Sequence, residues 1–245
     1  MSYGFRVIGD YGIQIDADYR NLMLVAKGAT ASLVSLSTET VSYTGSAGCT
    51  PVLAISCTGR ASISQVTVSG NTWTWTLFVP YTPNSGTFDS GCSGIGGAGG
   101  VVNWYVFDKP PAAPATGFGL VVFDAAGGTV FDSSRLAMRV VGVLTSPSIA
   151  GLSASAAFPI PGVFTGTAGR SYACVYAGSR YRYHTIQNSG LWHTGYVLDG
   201  FSVNGAAVLV GDALPHYDLS GSGSYAVTYY STAAQNNLVL DVTGY

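Results

Sequence analysis

The sequence predicts an all-β protein built from two β-sandwich-like domains, and three observations lead there. Only 9% of its 245 residues are charged, against ~25% in an average soluble chain. The chain holds two lysines, Lys27 and Lys109, and one glutamate, Glu39, so it lacks the residues that helices place on their wet faces. A hairpin-plus-strand unit occurs twice, and residues 66–69 and 72–77 alternate strictly between apolar and polar. Disorder is excluded by the composition, since 47% of residues are hydrophobic and 12% aromatic.

The repeated unit covers residues 3–25 (YGFRVIGDYGIQIDADYRNLMLV) and 118–141 (FGLVVFDAAGGTVFDSSRLAMRVV). Each copy reads as two strands around a glycine turn, an aspartate at Asp16 or Asp132, then a third apolar run. Phe5 and Val7 are expected to face Ile13 and Ile15, and Leu120 and Val122 to face Val130 and the third run. Gly12 and Gly127-Gly128 supply the positive φ that short hairpin loops need. Between the copies, Pro110, Pro111 and Pro114 cannot run inside a sheet and form a semi-rigid spacer. The expected division is therefore 1–109, a linker at 110–117, and 118–245.

In the first half, a three-strand meander is expected. Val52–Cys57 turns at Thr58-Gly59-Arg60, Ile63–Ser69 turns at Gly70-Asn71, and Thr72–Val79 returns. A two-residue loop there sets Val68 against Trp73 and Val66 against Trp75, with Thr72, Thr74 and Thr76 on the other face. Trp73 and Trp75 thus read as core, and Val101–Phe107 closes the half. Strands in the second half are expected near 171–176, 180–187, 191–203, 206–211, 224–230 and 237–243, separated by Gly, Ser and Asn turns.

Several functions are disfavoured by the same composition. A net charge of −2 gives no basic footprint for nucleic acid or anionic lipid. No run approaches the ~18 apolar residues of a membrane span, and residues 1–6 show no signal-peptide pattern. The four cysteines (Cys49, Cys57, Cys92 and Cys174) are not expected to form a disulfide framework. Cys49 and Cys57 on one extended strand would stand roughly 26 Å apart, so only a turn at Thr50-Pro51 could unite them. Cys57 shares strand parity with Leu53 and Ile55 and reads as a small core residue.

Candidate chemistry is sparse. Gly94-Ile95-Gly96-Gly97-Ala98-Gly99 matches GxGxxG, but a dinucleotide site needs that motif between a strand and a helix, and here a strand follows. It reads as a loop, and no cofactor is expected. His184 and His193 flank a turn at Asn188-Ser189-Gly190; a two-residue loop puts them diagonally on one face, a three-residue loop on opposite faces. With His216 and Asp199 or Asp218 they are the metal-ligand material available, yet ordinary polar strand histidines are the simpler reading, and no metal is expected. Asp10, Asp16, Asp89, Asp124, Asp132 and Asp212 sit at expected turns or strand ends, where carboxylates bond local backbone. No catalytic residue follows from that pattern. The densest ligand-contact candidate is aromatic: Tyr181, Tyr183 and His184 with Trp192, His193 and Tyr196, groups that stack on sugar rings and orient them. A core or a subunit interface would use the same residues.

The repeated hairpin, Ser69-Gly70-Asn71-Thr72-Trp73 and Trp104-Tyr105-Val106-Phe107-Asp108-Lys109-Pro110 together resemble a group of small tail proteins of tailed bacteriophages and prophages of proteobacteria. Such proteins often open with Tyr-Gly-Phe/Leu-x-Val and carry a phrase similar to Phe131-Asp132-Ser133-Ser134-Arg135. The resemblance covers residues 3–28 and 63–141, and only weakly the remainder; residues 145–245 depart from the pattern. It implies a virion structural protein of the tail tip or baseplate, assembled in the host cytoplasm. Its partners would be copies of itself, with a trimer as the first expectation, and other tail proteins. The second reading, drawn from the aromatic residues and not from the resemblance, is a glycan- or receptor-binding β module of a tail fibre with residues 181–196 as its contact face for a host surface glycan or protein receptor. Neither nucleic acid nor membrane insertion is implied, and no catalytic residue is carried over; a hydrolase is the third and least favoured reading.

Overall fold

The computed structural model describes residues 7–8, 14–15, 21–33, 37–59, 61–79, 100–111, 119–146, 162–176, 181–188, 191–220, 226–230 and 235–245. Every regular element among them is a β-strand. The first half holds β1 (Val7–Ile8), β2 (Gln14–Ile15), β3 (Met23–Ala29), β4 (Thr38–Thr44), β5 (Val52–Ser56), β6 (Ser62–Ser69), β7 (Thr72–Phe78) and β8 (Asn103–Asp108). The second holds β9 (Val121–Phe123), β10 (Thr129–Asp132), β11 (Val140–Ser146), β12 (Gly162–Thr165), β13 (Tyr172–Val175), β14 (Tyr181–Asn188), β15 (Leu191–Asn204), β16 (Ala207–Ser220), β17 (Ala226–Tyr230) and β18 (Gln235–Asp241). The all-β class read from the composition is borne out.

Two layers enclose the core. The first is a six-stranded antiparallel sheet in the order β11-β18-β13-β5-β8-β3. In the second, β4-β7-β6 and β12-β16-β15 meet where Ala61, just before β6, bridges Phe201 of β15. Both Ala61 and Phe201 exchange backbone N–H···O bonds there, at 3.0 and 2.8 Å. Leu53, Ile55, Val106, Cys174 and Val239 from the first layer pack against Ile63, Trp75, Leu77, Phe201, Val208 and Val210 from the second.

The strand order shows a duplication deeper than the hairpin unit. β3, β8 and β5 correspond to β11, β18 and β13, and β4, β7 and β6 to β12, β16 and β15, so the six-stranded layer reads the same from either end, and the second does so apart from β14 and β17. The halves meet along β5 and β13, where Ala54 pairs with Val175 and Ile55 with Cys174. A second contact has the same symmetry: Leu24 N–H bonds Leu136 O at 2.7 Å, and Met138 N–H bonds Leu22 O at 2.8 Å. Each half of the chain contributes three of these corresponding strands to each layer. The halves share one sheet and one core, however, rather than standing as separate bodies on either side of residues 110–117. The reason lies in burial: Leu53 and Ile55 face one apolar cluster and Ala54 the other, so β5 needs cover on both faces and a partner on both edges. β13 meets the same need.

This also corrects the meander. β5 leaves β6 and β7 and pairs with β8 and β13, while β7 takes β4 as its second neighbour. The β6–β7 register is as expected, with Val68 opposite Trp73 and Val66 opposite Trp75. Gly70, at φ 58°, supplies the left-handed residue of that hairpin. Trp75 is buried, whereas Trp73 is half-buried at the layer's margin. Both hairpins of the repeat are present: Val7 pairs with Ile15, and β9 pairs with β10. Val122 sits opposite Phe131 rather than Val130, because the register shifts between Thr129 and Phe131. Phe5, Gly12, Ile13 and the 94–99 glycine string lie outside the described residues.

The C-terminal end is clasped by charge. Asp241, fully buried, accepts from Arg170 Nη1 and from Thr243 N–H at 2.9 Å, and stands 3.5 Å from Arg139 Nη2. Arg139 also lies 4.6 Å above the Tyr245 ring and donates to Thr243 O at 2.6 Å. Burial alone would raise the Asp241 carboxyl, but hydrogen bonds from Thr243 and Arg170 and the charge of Arg139 hold it below its usual range. The corresponding aspartate of the first half, Asp108, is also buried; it bonds Tyr43, whose hydroxyl is pushed up to about 12 by burial and by that carboxylate.

Candidate functional site

The expected ligand-contact residues fall on β14 and β15, whose register is explicit. Asn188 pairs with Leu191, Gln187 with Trp192, Ile186 with His193, His184 with Gly195, Tyr183 with Tyr196 and Tyr181 with Leu198. Directly opposed residues share a face, and alternate residues along a strand do too. Tyr181, Tyr183, Trp192 and Tyr196 therefore hold positions on one face of this sheet, and His184 and His193 hold diagonal positions on the other. The two-residue connection is the one the sequence left open. Neighbouring strands add His216, opposite Tyr196, and Tyr230, opposite Tyr181, to the aromatic face. The six candidates thus divide four and two, and the histidines do not join the aromatic set.

This sheet is where the halves differ most. β14, β17 and the distal parts of β15 and β16 extend the hairpin beyond the length of its counterpart, β6–β7. The extension begins where Leu198 pairs with Ala213 and Tyr196 with His216, leaving Leu214-Pro215 opposite Val197 alone. A proline has no N–H for the ladder, and an extra residue in one strand is how sheets accommodate it. Asp212, expected at a turn or strand end, lies inside β16 opposite Asp199. Asp124 and Asp132 do occupy turns, accepting from the backbone N–H groups of Gly128 and Ser134 at 2.7 and 3.0 Å. No group of three or more His, Cys, Asp or Glu that could hold a metal ion is found among the described residues.

A second candidate surface was not legible as one in the sequence. β3 and β4 form one lateral edge of the sandwich, and their counterparts β11 and β12 form the other. The β3–β4 edge carries Lys27 and the chain's one glutamate, Glu39, whereas β11 (VVGVLTS) and β12 (GVFT) carry no charge. Among the described strands, β11 and β12 have no neighbour on their outer sides. Val143 and Val163 project from them, 56% and 57% exposed. Phe164 of β12 packs over Gly142 of β11, where a Cβ would overlap its ring, so the two edges are stitched side by side. An uncharged, unpaired strand edge offers free N–H and C=O groups to another strand, and lysine or glutamate on an edge opposes that pairing.

Of the four cysteines, Cys49, Cys57 and Cys174 are described, and none of the three is in a disulfide. Cys57 is buried in the main core with Leu53 and Ile55, as strand parity predicts. Compared with known proteins, the chain matches no family model, no curated protein and no solved structure.

Proposed function

We propose that this chain is a structural assembly protein of a bacteriophage tail tip or baseplate, acting by non-covalent strand-edge association. The observation that carries the assembly role is the uncharged β11–β12 edge beside a charged β3–β4 edge of the same design. A monomer working alone would be expected to protect both edges; one left open suits a subunit that docks on a copy of itself or on a tail hub. The assignment to a phage tail rests on the resemblance carried by the repeated hairpin and the Phe131-Asp132-Ser133-Ser134-Arg135 phrase.

Two measurements test it. In solution, wild-type protein should have the mass of an oligomer, and Val143→Lys with Val163→Lys should return it to one chain with its fold intact. A wild-type monomer at tens of micromolar, or an oligomer indifferent to both lysines, would contradict self-association through this edge and leave docking on another tail protein as the only form of the reading. In particles of a phage or prophage encoding the chain, antibodies should label the tail tip; their failure to label any particle would remove the virion role.

The second reading is a glycan- or receptor-binding module. It is favoured by the register that gathers Tyr181, Tyr183, Trp192 and Tyr196 on one face of the extension. Glycan-array binding lost on Trp192→Ala, with unchanged oligomeric mass, separates this reading from the first.

A further inference from the structure

The duplication makes it possible to compare one position in the core with its counterpart. Matching hydrogen bonds define the correspondence. Cys49 N–H bonds Ser46 O as Arg170 N–H bonds Thr167 O, at 3.2 and 3.3 Å. Gly45 N–H bonds Asn71 O as Gly166 N–H bonds Ala206 O, at 3.0 and 2.8 Å. Gly48 and Gly169 share a positive φ, 72° and 80°, and Gly70 and Gly205 do the same at 58° and 57°. On this alignment Pro51 corresponds to Tyr172, Val66 to Phe201, Trp73 to Val208 and Trp75 to Val210.

In the second half these four residues close the space between the layers. Tyr172 and Phe201 are 3% and 2% exposed, and Val208 and Val210 are fully buried. Tyr172 meets Phe164 edge to face at 5.7 Å, and Phe201 meets Tyr176 at 5.5 Å. In the first half the sizes are reversed. The two aromatic fillers are replaced by Pro51 and Val66, and the two valines by indoles. The result is a half-open pocket of about 300 Å³ bordered by Pro51, Leu53, Val66, Trp73, Trp75 and Tyr176. Trp73 and Trp75 both border it, and their rings stack with centroids 6.2 Å apart and planes 22° from parallel. No charged residue lines it, and the side-chain polar groups of its lining are the Thr50 hydroxyl, the indole N–H groups and the Tyr176 hydroxyl.

We propose that this cavity is a binding site for a small, uncharged, planar ring compound of two or three fused rings. Ligand pockets begin at ~300 Å³ and are mostly apolar with a few polar groups, so the volume and lining fit a compact ligand of this class. The lining holds no charge to pair with a charged ligand and few polar groups to bond the hydroxyls of a sugar. A flat ring stacked on the indoles restores the aromatic contacts that Tyr172 and Phe201 make in the other half. The site is independent of the β11–β12 edge, so it stands or falls separately from the assembly role.

The test is titration of the full chain with 1-aminoanthracene, a neutral three-ring fluorophore, followed by displacement with indole or naphthalene. Saturable enhancement of the dye with quenching of tryptophan emission is expected. Val66→Phe, which supplies the filler found at the corresponding position, should weaken binding at least about tenfold, equivalent to ~1.4 kcal/mol, while leaving the melting temperature unchanged or higher. Val66 is 42% exposed, so the larger ring can enter the cavity without displacing a packed neighbour. Trp73→Val, taking the residue of the closed half, should weaken binding as well. Absence of saturable binding by wild type, or binding that Val66→Phe leaves unchanged, would overturn the proposal.

Discussion

Replacing Asp241 by asparagine keeps the shape of the side chain and removes the charge that holds the C-terminal clasp. The carboxylate is fully buried, but its cations are not: the Arg139 and Arg170 side chains are 24% and 40% exposed. Breaking a fully buried pair costs ~3–5 kcal/mol and an exposed one ~0–1 kcal/mol. With one partner dry and two partly wet, Asp241→Asn is expected to cost about 2–3 kcal/mol at pH 7, intermediate between those limits. For a domain of this length each kcal/mol lowers the melting temperature by ~2–4 °C, so a fall of about 4–12 °C follows. The pH dependence carries a sign. The carboxyl of the folded chain lies below its unfolded value, so its contribution is complete above about pH 4 and is lost as pH falls through the folded value. Calorimetric melts at pH 7 and pH 3 should therefore show the gap between wild type and variant narrowing in acid. Equal melting temperatures at pH 7, or a gap that is the same at both pH values, would refute this account of the clasp.

Two further outcomes follow from packing. In a Cys92→Ser background, a thiol reagent should modify Cys49 in the native protein. Cys57 and Cys174 should react only on unfolding, because both are buried and burial pushes their thiols up. Gly142→Val should lower the melting temperature in thermal denaturation. Phe164 occupies the place a Cβ would take at Gly142, so a larger side chain there overpacks the contact between β11 and β12.

The sequence is legible here where information is local. Alternation in Thr72–Phe78 and the Gly70-Asn71 turn fixed a hairpin down to its cross-strand pairs. Cys57 was placed in the core by parity with Leu53 and Ile55. What period-two alternation does not state is which layer a strand joins, so β5 was assigned to its sequence neighbours and not to β8 and β13. β4 went unread because Thr38-Glu39-Thr40-Val41-Ser42-Tyr43-Thr44 offers few apolar residues. A signal for the interlocked halves was available: Tyr43-Thr44-Gly45-Ser46-Ala47-Gly48 and Phe164-Thr165-Gly166-Thr167-Ala168-Gly169 are near copies, each leading from a lateral strand into a central one. The face shared by Tyr181, Tyr183, Trp192 and Tyr196 depended on loop length, which Asn188-Ser189-Gly190 alone did not fix.

The unequal edges have a consequence for stoichiometry. A twofold body with two identical open edges is a bifunctional monomer, and edge-to-edge addition would propagate into a fibre of unlimited length. Under the proposed edge assembly, Lys27 and Glu39 at one end and no charge at the other would make this chain monofunctional. Addition through β11 and β12 would then terminate after one step, at a closed pair or at a single docking position on another protein. A trimer would need a further complementary surface. Joining both halves in one polypeptide is what permits such a difference, since in a symmetric dimer of identical chains every substitution would alter both ends alike.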